Sequence, residues 1–219
     1  MKSIAIYLVR HGETYFNVFG YFQGWSDTPL TPKGIQQVTR TGQQLSGQTF
    51  ALAFSSDVGR AIQTGQIIAQ QFQQKAPVIT PLLREHFYGS FEGQEITRTW
   101  QKIARQHRCQ NYSDLVQTYS IDRAQDFLSQ ADPTNLAESS QQFWLRFNQG
   151  LELIFKQAVS GAQVLLISHS SVIRALVAKY APTLLTQLTP ANAAVTKLVL
   201  TGETKIQTVQ VSYYNRAVD

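Results

Sequence analysis

The chain has 219 residues, a net charge of +5 and 15% charged residues. That length allows one well-buried core, or a core with a cap. Its basic residues are scattered, with no run and no helical stripe, which argues against nucleic acid or a membrane as partner and suits weak steering of a small anionic substrate. The single cysteine, Cys109, excludes an intrachain disulfide. The apolar run after Met1 is too short for a signal peptide and no stretch is long enough to span a membrane, so the expected location is cytoplasmic.

In chain order, the apolar run Ile4 to Val9 predicts a buried strand that stops at Arg10-His11-Gly12. A cation and an imidazole then stand at the carboxyl end of a strand, where open α/β sheets keep their ligands. Gly12 is expected to allow a sharp turn and leave room for a bound group. Thr31-Pro32 predicts a helix start, with Ile35, Val38, Gly42 and Leu45 on its inner face and Gly47 ending it. Phe50 to Phe54 reads as a short strand and Ser55-Ser56-Asp57 as a capping cluster. The next helix carries Arg60 in its first turn and turns Ala61, Ile68 and Phe72 inward.

Pro77 to Thr80 predicts another short strand, leading to Leu83-Arg84-Glu85. From Gln94 to about Asp132 no strand pattern occurs. Polar helical segments anchored by Trp100, Ile103, Tyr112, Leu115, Tyr119 and Phe127 read as a helical cap, its aromatics serving packing. Asn135 to Glu138 resembles a capping box opening a helix with Phe143, Phe147, Leu151 and Ile154 along one stripe. Val164 to Ile167 predicts a buried strand ending at Ser168-His169, followed by a helix lined by Ile173, Leu176, Val177 and Tyr180. A hairpin closes the chain, Ala194 to Leu200 and Lys205 to Val211, turning at Gly202. The alternation predicts a three-layer α/β/α sandwich with a mixed, mostly parallel central sheet. The expected organisation is a single domain over residues 1–219 with a helical cap insertion at about 94–132.

Two histidines, His11 and His169, thus follow separate strands, and two arginines, Arg10 and Arg60, sit beside a strand end and a helix start. Arginine forks match phosphoryl oxygens, and helix N-termini add backbone donors. A neutral imidazole is a nucleophile when one ring nitrogen is free and the other donates to a fixed acceptor; His11 is assigned that role. Arg60, a first-turn cation, opposes the helix dipole, which favours a function over a surface ion pair. His86 and His107 read as structural, and no Asp/His cluster reads as a metal site.

Arg10-His11-Gly12-Glu13-Thr14 with Asn17 and Gln23-Gly24, Ser55-Ser56 with Arg60 to Thr64, Arg84-Glu85 with Phe91-Glu92-Gly93, and Ser168-His169 together resemble the motifs of the histidine phosphatase superfamily, the phosphoglycerate mutase-like proteins, in order and at plausible spacing. The resemblance implies that His11 takes a phosphoryl group as a phosphohistidine, which water then hydrolyses. It implies that His169 binds the phosphoryl oxygens and stabilises transition-state charge, that Asn17 and Gln23 touch the transferred group, and that no metal is used. Glu85 aligns with the family's acid: a carboxyl whose environment raises its pKa can protonate the leaving oxygen and then deprotonate water. Glu92 and Glu13 are the alternatives, Glu13 reading better as a supporting residue. Ser170, followed by Ser171, stands where the family often has glycine, a change expected either to tighten the backbone near the phosphate or to add a hydroxyl donor. Leu136-Ala137 replace a frequent Gly-Gly, which weakens the case for substrate contact by Glu138-Ser139.

Within the family, Phe91-Glu92-Gly93 looks like the phosphatase ending, whereas Gly24-Trp25-Ser26-Asp27 resembles the mutase loop. A mutase must hold a substrate carboxylate, commonly with a neighbouring arginine pair in the cap, and here Arg98, Arg105 and Arg108 form no adjacent pair. The expected activity is therefore phosphomonoester hydrolysis on a small phosphorylated substrate with no cofactor. The alternative is a phosphoglycerate mutase primed by 2,3-bisphosphoglycerate. An inactive phospho-ligand-binding relative is disfavoured by the presence of His11, His169, Arg10, Arg60 and Glu85. Oligomeric state is open.

Overall fold

Side chains alternate across a strand, and β1 (Lys2–Arg10) is apolar on both sides: Ile4, Ile6 and Leu8 enter one core, Tyr7 and Val9 the other. A strand covered on both faces belongs in the middle of a sheet, and the computed structural model, which describes residues 1–72, 76–186 and 188–216, places it there. The other strands are β2 (Leu52–Ser55), β3 (Val78–Ile79), β4 (Gln163–Ser168), β5 (Val195–Gly202) and β6 (Ile206–Arg216), in the order β3-β2-β4-β1-β5-β6. The pairs β3-β2, β2-β4 and β4-β1 are parallel; β5 runs antiparallel to β1 and β6 antiparallel to β5. The sheet is mixed and mostly parallel, as expected.

The helices are α1 (Tyr15–Phe19), α2 (Pro32–Leu45), α3 (Gly59–Phe72), α4 (Ile96–Gln106), α5 (Tyr112–Thr118), α6 (Ile121–Ala131), α7 (Ser140–Gln157) and α8 (Ser170–Tyr180). One sheet face packs Tyr7, Val9, Leu165 and Ile167 against Val38 and Leu45 of α2 and Ala61 and Ile68 of α3. The other packs Ile6, Leu8, Val164 and Leu166 against Phe143, Phe147, Leu151 and Ile154 of α7 and Val172 and Leu176 of α8. Burying each such side chain contributes about 1.5–3 kcal/mol. The chain leaves β1 toward the α2–α3 face and leaves β4 toward the α7–α8 face. The carboxyl ends of these adjacent parallel strands therefore frame a crevice, the position where such sheets bind ligands.

Between β3 and α7, helices α4 to α6 gather a third apolar cluster from Trp100, Ile103, Leu115, Phe127 and Leu128, joined by Phe22 and Tyr88 from loops below. Tyr119 is not one of its buried anchors: it meets the Phe127 ring edge-on at 5.1 Å but is 45% exposed.

Four local expectations are corrected. The inner face of α2 uses Gly34, Val38, Thr41, Gly42 and Leu45, while Ile35 is exposed, because α2 approaches the Gly12-Glu13 backbone too closely for a side chain at position 34. Gly12 serves that same approach: a Cβ there would stand 2.6 Å from the Gly34 carbonyl oxygen and 2.7 Å from Val38, so the space is taken by α2 and not by a ligand. Asn135 to Glu138 does not open α7. Ser139 is the N-cap, in a capping box with Gln142, and Glu138 pairs with Arg146 at 2.8 Å. Nor does Ser55-Ser56-Asp57 cap α3. The Asp27 carboxylate accepts from the Arg60 N–H at 3.2 Å, and Asp57 is held by the fork of Arg84.

Candidate active site

In the β1–β4 register Arg10 lies opposite Ser168, and the His11 N–H donates to the Ser168 carbonyl at 3.0 Å. The two following histidines are thereby adjacent, their ring centroids 5.5 Å apart and the planes tilted by 55°. His11 Nδ1 lies 2.8 Å from the Gly12 carbonyl oxygen, which can only accept, so Nδ1 carries the proton and Nε2 keeps its lone pair. Nε2 has no hydrogen-bond partner among the described residues. His169, fully buried, uses both nitrogens. Nδ1 accepts from Arg60 Nη2 at 3.3 Å, which leaves Nε2 to donate to Ser56 Oγ at 2.7 Å. Burial, and then the charge of Arg60, holds both histidines well below the ordinary imidazole range.

Arg60 is fully buried and works as a hub. Its terminal nitrogens donate to the carbonyls of Gln23 (3.1 Å), Gly24 (2.8 Å) and Ser26 (2.9 Å) and to Asp27 Oδ1 (2.9 Å). The 23–27 loop is closed from its other side by Glu92, whose carboxylate accepts from the N–H groups of Gly24, Trp25 and Ser26 at 2.9–3.1 Å. Glu92 is thus occupied in loop structure, and Glu13 is paired with Lys33 and Thr31. Neither lines the crevice, which leaves Glu85 as the carboxylate that does.

Glu85 is 4% exposed. Its Oε1 accepts from the His86 N–H at 2.9 Å and its Oε2 from the Ser171 N–H, in the first turn of α8, at 2.8 Å. Burial opposes its charge, but the hydrogen bonds from His86 and Ser171 prevail, and its pKa lies below the ordinary carboxylate value. This corrects the expectation of a raised pKa: Glu85 is a carboxylate at neutral pH. Its main chain is fixed by Arg146, which donates to the carbonyls of Leu82, Arg84 and Glu85 at 3.0–3.1 Å. His86, read as structural, stacks on Phe143 with ring centroids 3.8 Å apart.

These groups surround a cavity of about 140 Å³ lined by Arg10, His11, Asn17, Gln23, Glu85, Ser170, its neighbour Ser171 and, unforeseen in the sequence, Tyr88, Trp100 and Arg174. Six of the eight expected site residues therefore meet in one pocket. Arg60 and His169 stand immediately behind its wall. Asn17 belongs to a capping box at the start of α1, its Oδ1 accepting from the Thr14 N–H at 3.2 Å and from Asn192 Nδ2 at 3.0 Å. Gln23 Oε1 accepts from Thr14 Oγ1 at 2.6 Å. Trp100, expected only to pack, does both: it belongs to the apolar cluster of α4 to α6 and faces the pocket. Arg10 donates to the Pro190 carbonyl, and burial chiefly pulls its pKa down to about 10. The Nε atoms of Arg10, Arg60 and Arg174 are buried and, among the described residues, without a partner, the signature of a site short of an acceptor. Among the described residues no group of three or more His, Cys, Asp or Glu could hold a metal ion, and no helix is long and apolar enough to cross a membrane.

The geometry suits transfer of a phosphoryl group to a neutral imidazole beside cations and a carboxylate, and the comparisons agree on the class. Residues 6–212 match the histidine phosphatase superfamily (branch 1), and the chain belongs to that family. The crystal structure of a phosphoglycerate mutase from Bacillus anthracis superposes with a TM-score of 0.87 at 30% identity, covering 98% of this chain and 94% of that one. The adenosylcobalamin/alpha-ribazole phosphatase of Escherichia coli is 29% identical over 80% of this chain and 78% of its own length. A protein of Proteus mirabilis named as a probable phosphoglycerate mutase, GpmB, is 44% identical over 94 residues, and that match spans less than half of either protein, 42% and 43%. The relatives are enzymes of two kinds, mutases and phosphatases.

Proposed function

We propose that the protein hydrolyses a small phosphomonoester through a phosphohistidine on His11. The observation that carries this reading is the hydrogen bond from His11 Nδ1 to the Gly12 carbonyl, which leaves Nε2 unprotonated and without a partner among the described residues inside a cationic pocket. In the first step Nε2 forms the N–P bond as the ester P–O bond breaks, and the leaving oxygen takes a proton. In the second, water attacks phosphorus, the N–P bond breaks and the water's proton passes to the carboxylate.

Glu85 is the group that would relay both protons. Since its pKa is depressed, the first proton arrives with the substrate, as the phosphomonoester monoanion whose second pKa is about 6, and Glu85 passes it to the leaving oxygen; in the second step Glu85 takes the water's proton and gives it up to the departing phosphate or to solvent. Arg10 and the Ser170 hydroxyl receive the phosphoryl oxygens directly. Arg60 and His169 sit behind, with Arg60 Nε uncommitted and the His169 dipole fixed by Ser56. The pocket falls below the roughly 300–1,000 Å³ of sites for larger ligands, which favours a small substrate.

A mutase primed by 2,3-bisphosphoglycerate is the second reading, favoured by the likeness to the B. anthracis enzyme over nearly the whole chain. It would use the same phosphohistidine and return the group to the substrate in place of water. Phosphate release from a panel of phosphomonoesters, run beside primer-dependent phosphoglycerate interconversion, separates the two. Hydrolysis without interconversion is expected; interconversion with little release would transfer the protein to the mutases.

A further inference from the structure

Trp25 stands in the loop that Arg60 and Glu92 organise, and the proposed chemistry gives it no task. Its side chain is 37% exposed, yet two neighbours hold the ring. It stacks on Phe87, with centroids 4.7 Å and planes 27° apart, and the Arg84 guanidinium carbon lies 4.5 Å from its ring centroid. Arg84 is itself fixed by Asp57, to which its Nε donates at 2.6 Å. The main-chain N–H of Trp25 donates to Glu92 Oε1 at 2.9 Å. So held, the indole Nε1–H donates to the Glu85 carbonyl at 3.0 Å. Arg146 Nη2 donates to the same oxygen at 3.1 Å, so both of its lone pairs are taken.

The Glu85 carbonyl and the His86 N–H belong to one peptide unit, which is planar and rigid. That N–H donates to Glu85 Oε1 at 2.9 Å. A donor that fixes the carbonyl end of the plane therefore also aims its N–H end, and with it the carboxylate. Arg146 reaches the carbonyl from α7. Trp25 reaches it from the loop whose carbonyls at 23, 24 and 26 accept from Arg60, and Arg60 in turn donates to His169. We infer that Trp25 is a positioning residue for Glu85: its indole N–H aligns the Glu85–His86 peptide, and so ties the proton-relaying carboxylate to the loop that Arg60 fastens beside His169. A tryptophan needed only for packing would act through its ring; here the N–H carries the effect.

The inference rests on the proposed proton relay by Glu85, so its test separates ester classes by how much they need that proton. An alkyl phosphate requires protonation of its leaving oxygen, whereas p-nitrophenyl phosphate, whose phenolate departs readily, requires it far less. kcat/KM for the two classes would be measured on the wild type, Trp25→Phe, Glu85→Gln and the double variant. Glu85→Gln is expected to slow the alkyl ester at least about tenfold more than the aryl ester. Trp25→Phe keeps a stacking ring and removes the N–H. It is expected to slow the alkyl ester about fivefold, the scale of one hydrogen bond, and to leave the aryl ester nearly unchanged. Added to Glu85→Gln, it should cost nothing further. Arg84→Gln, which removes the cation over the indole, should show the same preference more weakly, and carries the test if Trp25→Phe does not fold. Equal losses on both esters, or full additivity with Glu85→Gln, would reduce Trp25 to packing and overturn the inference. Failure of the relay itself would show as equal losses on both esters in Glu85→Gln, or as no turnover by the wild type, and would overturn both.

Discussion

The ends of β1 and β4 present nearly the same thing to the crevice: a histidine after a buried parallel strand, the two rings 5.5 Å apart. Their partners make them chemically different. At the β1 end the next residue's carbonyl fixes the proton on Nδ1 and leaves Nε2 open. At the β4 end Arg60 and Ser56 engage both nitrogens, and the ring becomes a fixed dipole joined to the loop that Arg60 organises. Position in the fold thus supplies two imidazoles, and hydrogen bonding decides which can attack.

If that difference is correct, the two histidines should fail differently when removed. His11→Ala is expected to lower kcat by 10⁴-fold or more, since the acceptor of the phosphoryl group is gone. His169→Asn should cost on the order of 10²–10³, the scale of losing one preorganised polar group, and should leave the His11 adduct detectable. Rapid-quench kinetics on both variants checks the ordering; equal losses would erase the comparison.

Glu85→Gln should reduce kcat by roughly 10²–10⁴. It should also change the pH profile. With Glu85 already ionised, kcat/KM of the wild type is expected to fall about tenfold per pH unit above about 6, as the substrate loses the proton it brings. A wild-type profile that stays flat to pH 8 would contradict this route for the proton.

Both histidines also report on stability. Their folded pKa values lie below the unfolded imidazole value, so the unfolded chain binds more protons and acid destabilises the fold. Stability should be fully present above about pH 6.5. It should decline as pH falls below that value, by up to about 1.4 kcal/mol per pH unit for each histidine, until the folded pKa is reached. Denaturant titrations between pH 5 and 7.5 would reveal it, and His11→Asn should remove one histidine's share. The smallest effect is expected from Ser56→Ala, which deprives the His169 Nε2–H of its acceptor. About 1–3 kcal/mol of stability should be lost, and a kcat loss smaller than that of His169→Asn is expected.

The sheet, α7 and α8 were legible because their apolar spacing is regular and their strands end at chemically distinctive residues. Arg10, His11 and Glu85 were legible because each sits beside a strand end or within a motif. Arg174 was not, because an arginine in the second turn of a helix ordinarily reads as surface. Its signal was positional: residue 174 shares a helix face with Ser170 and Ser171, four and three residues earlier. The depressed pKa of Glu85 was hidden because a neighbouring histidine does not reveal from sequence that it faces the carboxylate: among the lowering causes His86 comes first, and the Ser171 N–H, 86 residues away, adds to it. Ile35 was misassigned because periodicity gives weight to the larger apolar neighbour, whereas the close contact with Glu13 selected Gly34. The short helix α1 escaped notice because Asn17 fills the capping-box position usually held by Glu or Gln.

The most direct test of the account is to trap the phosphorylated protein. Wild type, His11→Ala and His169→Asn would be mixed with a turned-over phosphomonoester, quenched in base, digested and analysed by mass spectrometry. The account predicts an acid-labile, base-stable phosphate on the peptide containing His11, present in the wild type and His169→Asn and absent from His11→Ala. Turnover by the wild type with phosphate on another residue, or turnover retained by His11→Ala, would contradict it.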